Sequence, residues 1–212
     1  MSLEMELDAD NVLVEVSYRH IHLSKEHLDI LFGDSYNLKI RKFLSQPGQY
    51  AAEETLNLKY GNKEIREVRI LGPVREKTQV EISYTESLYL KINAPYRLSG
   101  DINGSPGIIL IGKNNFVKIK EGVIIAKPHL HISYEDANKI GVKNGQVISI
   151  YVKSNRPRTF HDVIVRADYS DKVGLAVHLD SDEGNSACIS GFAYGKILNQ
   201  KIWDAPKQLH HL

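Results

Sequence analysis

The residues with the clearest chemical potential are two His-x-His pairs. His20 and His22 form the first pair, and His129 and His131 form the second, about half the chain later. Side chains at positions i and i+2 of an extended strand lie on the same face, so each pair would direct two imidazoles the same way. Neutral imidazole is a common zinc ligand. The two pairs therefore predict two metal sites.

Each pair needs further ligands, because zinc usually takes three or four from the protein. Spacing alone does not identify them. His178 lies in the strand-like segment Val177–Asp180 and is the best remaining histidine. Glu81 lies in the segment 79–83, QVEIS, and is a candidate carboxylate, although a glutamate in such a strand is as often simply solvated.

The surroundings of the two pairs also match. Each continues with an aliphatic residue, Ser-x-Glu, an apolar stretch with helical spacing and a glycine. Ser24 and Ser133 are suited to cap the N-termini of short helices, and Gly33 and Gly141 to end them. This internal repeat predicts two similar halves that face each other.

The rest of the chain alternates short apolar segments with turn dipeptides such as Gly61-Asn62 and Asn144-Gly145. We predict a mainly β protein with short α-helical caps, folded as two packed β-barrel domains related by the repeat. Residues 1–120 would form the first half and residues 121–212 the second, whose C-terminal part could complete the first barrel. The strand candidates are Glu64–Leu71, Gln79–Tyr84, Ile108–Ile111, Phe116–Lys120, Gln146–Val152 and Asp162–Ala167.

The composition excludes several classes. The 212 residues include 42% hydrophobic and 25% charged residues, as in a globular protein. A net charge of +1 does not favour a nucleic-acid-binding surface. No apolar run is long enough to span a membrane. The one cysteine, Cys188, permits no internal disulfide, which fits a reducing, cytoplasmic location.

Three alternative interpretations remain at this point. A cupin-type metal motif would need Glu26 on a strand, but this residue follows a helix cap. Cys188 as an acyl-enzyme nucleophile is less favoured than Cys188 as a small buried apolar residue. ATP or NAD chemistry is not expected, because the chain has no Gly-rich nucleotide loop.

Six ordered segments between Val12 and Ile189 resemble the PduL-type phosphotransacylases, also called phosphate propanoyltransferases. They are VSYRHIHLS (16–24), SQPGQYAAEET (45–55), LGPVREKTQVEIS (71–83), NAPYRLSGD (93–101), KPHLHIS (127–133) and HLDSDEGN (178–185). The resemblance implies two β-barrels with a two-metal site between them, and the reversible conversion of short acyl-CoA (such as acetyl or propionyl) and phosphate into acyl phosphate and CoA.

The resemblance also implies roles for individual residues. One Zn²⁺ would be held by His20, His22 and Glu81, and a second Zn²⁺ by His129, His131 and His178. Arg75 matches the family's phosphate-binding arginine and would act in catalysis, with phosphate attacking the thioester directly. Four further residues match positions near the substrates: Gln46, Gln79, Ser99 and Arg166.

Two features depart from the family pattern or bear on location. Tyr18 stands where a small residue or Asn is expected, next to the first pair. Family members in bacterial microcompartments often carry an N-terminal targeting segment, whereas Met1–Asp10 is short and acidic. We therefore expect a cytoplasmic enzyme, with the microcompartment lumen as the alternative, and the family tendency suggests a homo-oligomer. Trp203 would pack in the C-terminal tail rather than contact CoA.

Two other functions share the same ligands. A binuclear zinc hydrolase would cleave a thioester or phosphoester with metal-bound hydroxide and would not need phosphate. A non-catalytic metal-binding β protein would bind zinc without turnover. Phosphate dependence of CoA release separates these classes from a phosphate acyltransferase.

Overall fold

The computed structural model describes residues 9–169 and 174–198. Within these residues the chain is mainly β, with fifteen strands in two sheets and four short helices, as predicted. Trp203 and the outer ends of both predicted halves lie outside the described residues. In chain order the elements are β1 (Val12–Ser17), β2 (His20–His22), α1 (Lys25–Phe32), β3 (Ile40–Phe43), β4 (Tyr50–Tyr60), β5 (Lys63–Gly72), β6 (Gln79–Glu81), α2 (Tyr84–Leu90), β7 (Tyr96–Arg97), β8 (Ile109–Ile111), β9 (Phe116–Lys118), β10 (Val123–Ala126), β11 (His129–Ser133), α3 (Tyr134–Ile140), β12 (Val147–Lys153), β13 (Arg158–Asp168), β14 (Ala176–Asp180), α4 (Ser181–Ser186) and β15 (Phe192–Leu198).

One sheet is a closed six-stranded barrel in the order β1-β14-β11-β13-β12-β15, with β15 pairing back to β1. β-Branched and aliphatic residues fill its interior, because they fit a pleated surface that is buried on one side. Val14, Leu130, Ile150, Val165 and Val177 are fully buried there.

The other sheet has nine strands and forms an open half-barrel. Its order is β7-β10-β6-β2-β5-β4-β8-β9, and β3 pairs with the edge of β4. Helix α1 covers part of its core, where it buries Leu28 and Leu31. Ser24 accepts a hydrogen bond from the backbone N–H of His27 and so caps this helix, as predicted.

The two sheets do not divide the chain at residue 120. Strand β1 belongs to the closed barrel, whose other strands come from residues 129–198, and β10 belongs to the nine-stranded sheet. The chain therefore crosses between the sheets twice, at residues 18–19 and again at residues 127–128. Each crossing leads directly into a His-x-His strand. The division into two domains at residue 120 stays a prediction, although each sheet takes strands from both predicted halves.

Helices α2 and α4 were not predicted from the sequence. The strand expected over Gln79–Tyr84 is wrong in its second part, because β6 ends at Glu81 and α2 begins at Tyr84. Ser83 and Glu86 form a reciprocal capping box that starts α2. Asp180 and Glu183 form the same arrangement at α4. The described part of the chain contains no helix with the length and apolar character needed to cross a membrane.

Candidate metal centre and anion site

The first His-x-His pair meets Glu81 on the neighbouring strand. Strands β2 and β6 are antiparallel, and their register sets His20 directly opposite Glu81. All three side chains are buried, and their potential ligand atoms lie within 4.8 Å of one another. The Nε2 atom of His20 is 3.4 Å from Oε2 of Glu81. We call these three residues the first trio.

The second pair is built in the same way. Strand β11 carries His129 and His131, and it runs antiparallel to β14 with His129 directly opposite His178. The potential ligand atoms of these three residues also lie within 4.8 Å of one another. We call them the second trio. In both trios the third member faces the first histidine of the pair across an antiparallel register.

Both leading histidines are oriented by the crossing segment. Nδ1 of His20 lies 2.8 Å from the carbonyl oxygen of Tyr18, and Nδ1 of His129 lies 2.9 Å from that of Lys127. In each case the ring donates its Nδ1 proton to the carbonyl two residues earlier, which leaves Nε2 without a proton. A metal ligand held by such a hydrogen bond on its other nitrogen is a recurrent feature of zinc sites. The carbonyl group of Tyr18 thus orients His20 of the first trio, and Tyr18 itself is 52% exposed.

The protonation states of the trios fit metal ligands. Burial, followed by the neighbouring His20, holds the pKa of His22 well below its usual value. Burial and nearby histidines lower the pKa of His129 to about 4 and that of His131 to about 2. Neutral imidazole is the form that binds zinc. These three side chains would therefore enter a metal site without first losing a proton at neutral pH.

His20 and Glu81 shift each other's pKa. Burial alone would lower the pKa of His20 and raise that of Glu81, but each group reverses the shift of the other. The pKa of Glu81 therefore lies well below its usual value, and the pKa of His20 is raised. A buried carboxylate and an imidazole that face each other form a donor pair that a divalent cation accepts.

Two buried nitrogen atoms make no hydrogen bond among the described residues: Nδ1 of His22 and Nε2 of His178, the second of which lies 3.3 Å from a carboxylate oxygen of Glu15. Unpaired buried polar atoms are rare in folded proteins and call for an explanation. The donor sets, two imidazoles with a carboxylate and three imidazoles, are those that zinc accepts. The residues of both trios therefore fit a metal ion.

Both trios line one cavity of about 200 Å³ between the two sheets. Arg75 and Arg166 line the same cavity and are half-buried. Burial lowers the pKa of both guanidinium groups from its usual value, but arginine stays charged at neutral pH. The cavity therefore combines two potential metal sites with two fixed positive charges. It is suited to a small, multiply charged anion.

The other predicted site residues take different places. Ser99 lines the cavity, and its hydroxyl lies 3.4 Å from Nη1 of Arg75. Gln46 reaches across from the nine-stranded sheet, with its amide nitrogen 2.5 Å from Nε2 of His131. Gln79 is buried behind Glu81 rather than on the cavity wall, and donates hydrogen bonds to Oε1 of Glu81 (2.6 Å) and to Ser99 (3.0 Å).

Several alternatives are settled by position. Cys188 is exposed beyond the end of α4, so the prediction of a buried cysteine is wrong, and it does not line the cavity. Glu26 lies on α1 and is exposed, so the cupin arrangement does not form. The sequence reasoning missed Glu15, whose Oε2 lies 3.3 Å from Nε2 of His178. A lone acidic residue among the aliphatic residues of strand β1 was the available signal.

Comparison with known proteins adds independent findings. The family model described as phosphate propanoyltransferase matches residues 13–190. A curated phosphate propanoyltransferase from Thermotoga maritima is 45% identical over 180 residues, which cover 84% of this chain and 85% of the relative. The protein of that name from Sebaldella termitidis is 45% identical over 191 residues, 90% of each chain. The one from Levilactobacillus brevis is 38% identical over 196 residues, 92% of this chain and 93% of the relative.

Proposed function

The chain belongs to the phosphate propanoyltransferase family, and we propose that the cavity between its two trios is where an acyl group moves between CoA and inorganic phosphate. The chain is an acyltransferase of the phosphotransacylase type. The observation that carries the assignment of the site is the shared cavity: both trios, Arg75 and Arg166 face one space of about 200 Å³.

In this proposal His20, His22 and Glu81 hold one zinc ion, and His129, His131 and His178 hold the other. Bound zinc would supply Lewis acidity toward phosphate oxygens and toward the sulfur and carbonyl oxygen of a thioester. The chain's own contribution is to gather five imidazoles and a carboxylate around one cavity. Two of the imidazoles, those of His20 and His129, are oriented by main-chain carbonyls.

Arg75 and Arg166 would bind the phosphate. Each guanidinium offers a planar fork of donors that matches phosphate oxygens, and the half-buried setting strengthens charge–charge attraction relative to water. Ser99, next to Arg75, would limit the orientations of its side chain. Two fixed cations would remove the phosphate from water and hold one oxygen toward the thioester carbonyl, so that much of the rate comes from proximity.

The reaction then needs no covalent enzyme intermediate. A phosphate oxygen forms a bond to the acyl carbon, the carbon–sulfur bond breaks, and CoA leaves as a thiolate that takes up a proton. The position of Cys188, exposed and outside the cavity, is consistent with this direct route. We propose a short acyl group such as acetyl or propionyl, in keeping with the names of the relatives.

A second cavity offers a route for CoA. It has a volume of about 320 Å³ and shares His20, His178 and Leu71 with the first cavity as wall residues. Phe43 is 64% exposed on this wall, and Lys42 and Arg69 line it as well. Exposed aromatic rings suit an adenine base, and cations suit the phosphates of CoA. We propose that the pantetheine arm passes along this cavity to the trios.

The experiment that tests the function follows CoA release from acetyl-CoA and propionyl-CoA by the zinc-loaded protein, with and without phosphate. We expect release only with phosphate, and an equal amount of acyl phosphate trapped as its hydroxamate. Release that ignores phosphate would instead indicate a thioester hydrolase. Zinc binding without any release would indicate a non-catalytic binding protein.

A further inference from the structure

Glu15 is a half-buried neighbour of the second trio that the proposed zinc sites do not include. Strands β1 and β14 are parallel neighbours in the closed barrel, and their register sets Glu15 beside His178. Oε2 of Glu15 is 3.3 Å from Nε2 of His178. The hydroxyl of Ser45, from the loop between β3 and β4, donates a hydrogen bond to the same carboxylate oxygen. Glu15 thus lies between a histidine of one sheet and a serine of the other.

Three of the proposed zinc-binding histidines, His20, His129 and His178, share one requirement. A histidine that binds a metal through one ring nitrogen carries a proton on the other, and that proton needs an acceptor. Main-chain carbonyls accept it from His20 and His129. Nε2 of His178 is buried and has no hydrogen bond within the described residues, and the carboxylate of Glu15 is at the outer limit of hydrogen-bond distance from it.

We propose that Glu15 is the positioning residue of the second zinc site: its carboxylate accepts the Nε2 proton of His178 and thereby directs Nδ1 toward the metal, while Ser45 holds the carboxylate in place. A carboxylate acceptor also makes the imidazole a stronger ligand than a carbonyl does. This inference rests on the proposed second zinc site. It assigns Glu15 an action through His178 and not as a ligand, because its carboxylate is not part of the cluster of mutually close ligand atoms.

The test measures zinc affinity by competition with a chelator, for both bound equivalents, and needs no activity assay. Glu15→Ala should weaken one equivalent by about 10- to 100-fold and leave the other unchanged, the range typical of lost partners of metal ligands. Glu15→Gln keeps a neutral acceptor of the same shape, so it should restore part of the loss. Glu53→Ala, at an exposed position on β4, is the matched control. Thermal unfolding of the metal-free variants by circular dichroism checks that each is folded.

A double-variant cycle decides how Glu15 acts. If Glu15 works through His178, then Glu15→Ala should add no further loss of affinity in a chain that already carries His178→Ala. Full additivity would show an independent ligand and overturn the proposal. Two equivalents bound unchanged in Glu15→Ala would overturn it while leaving the zinc sites intact. A wild-type chain that binds fewer than two equivalents would refute the two-zinc proposal on which this inference rests.

Discussion

Arg75 is the residue at which the proposed phosphate site can be tested most directly. Its main chain has a structural task, since its N–H donates to the carbonyl of Leu23. Within the described residues its guanidinium makes a long hydrogen bond of 3.4 Å to the hydroxyl of Ser99, and the side chain lines the cavity. Replacing the side chain should therefore remove the cation from the cavity and leave the backbone link in place.

The expected size of the effect follows from this setting. A hydrogen bond to a charged group contributes about 1.5–3 kcal/mol, which corresponds to roughly 10- to 150-fold in kcat/KM. Arg75 is half-buried and Arg166 would still hold the anion, so we expect Arg75→Ala to lie in the lower part of that range, at about 10- to 50-fold. Arg75→Lys keeps the charge without the planar fork and should lose less.

The assay measures initial rates of CoA release against phosphate concentration at saturating acyl-CoA. The loss should appear in kcat/KM for phosphate, while the zinc content and the free energy of unfolding stay close to wild type. Arg66→Ala is the matched control, because the Arg66 side chain is 78% exposed on β5. An unchanged phosphate dependence would refute the assigned role. Loss of zinc together with activity would show that Arg75 supports the trios instead.

Three further predictions test other parts of the site and fold. His129→Ala should release one equivalent of zinc and remove nearly all turnover, measured by metal analysis and CoA release; full activity without that metal would contradict the metal site. Gln79→Ala removes the hydrogen bond to Oε1 of Glu81, so it should weaken zinc binding at the first trio by about tenfold in a chelator competition, with the second equivalent unaffected. Burial and the neighbouring Asp180 raise the pKa of Glu183 to about 8. Because the folded chain then holds a proton that the unfolded chain has lost, the contribution of Glu183 to stability is present below about pH 4.5 and is lost as the pH rises to 8. Between pH 5 and pH 8, the free energy of unfolding measured with urea should fall less for Glu183→Gln than for wild type. An equal fall in both proteins would exclude this explanation.

The parts of the site that sequence alone predicted are those that depend on local geometry. His-x-His on a strand, the caps at Ser24 and Ser133 and the mainly β class follow from the periodicity of strands and the needs of helix ends. The capping box of Ser83 and Glu86 was also readable, as Ser-x-x-Glu, and would have placed α2 correctly.

The rest depends on contacts between distant segments. Glu81 and His178 complete their trios because of strand register, which no spacing along the chain encodes. The assignment of Glu81 and His178 to separate metals came from family resemblance, not from the residues alone. Glu15 was missed for the same reason, since its neighbour His178 is about 160 positions away in the sequence.

The exchange of β1 and β10 between the sheets makes the two halves of this chain inseparable. A fragment that ends at residue 120 would carry β1 without the barrel that it closes, and the complementary fragment would carry β10 without its neighbours β6 and β7. Each trio comes from a single sheet, yet each sheet is complete only when both fragments are joined. The two proposed metal sites therefore both depend on the intact chain, because each lies in a sheet that draws strands from both fragments.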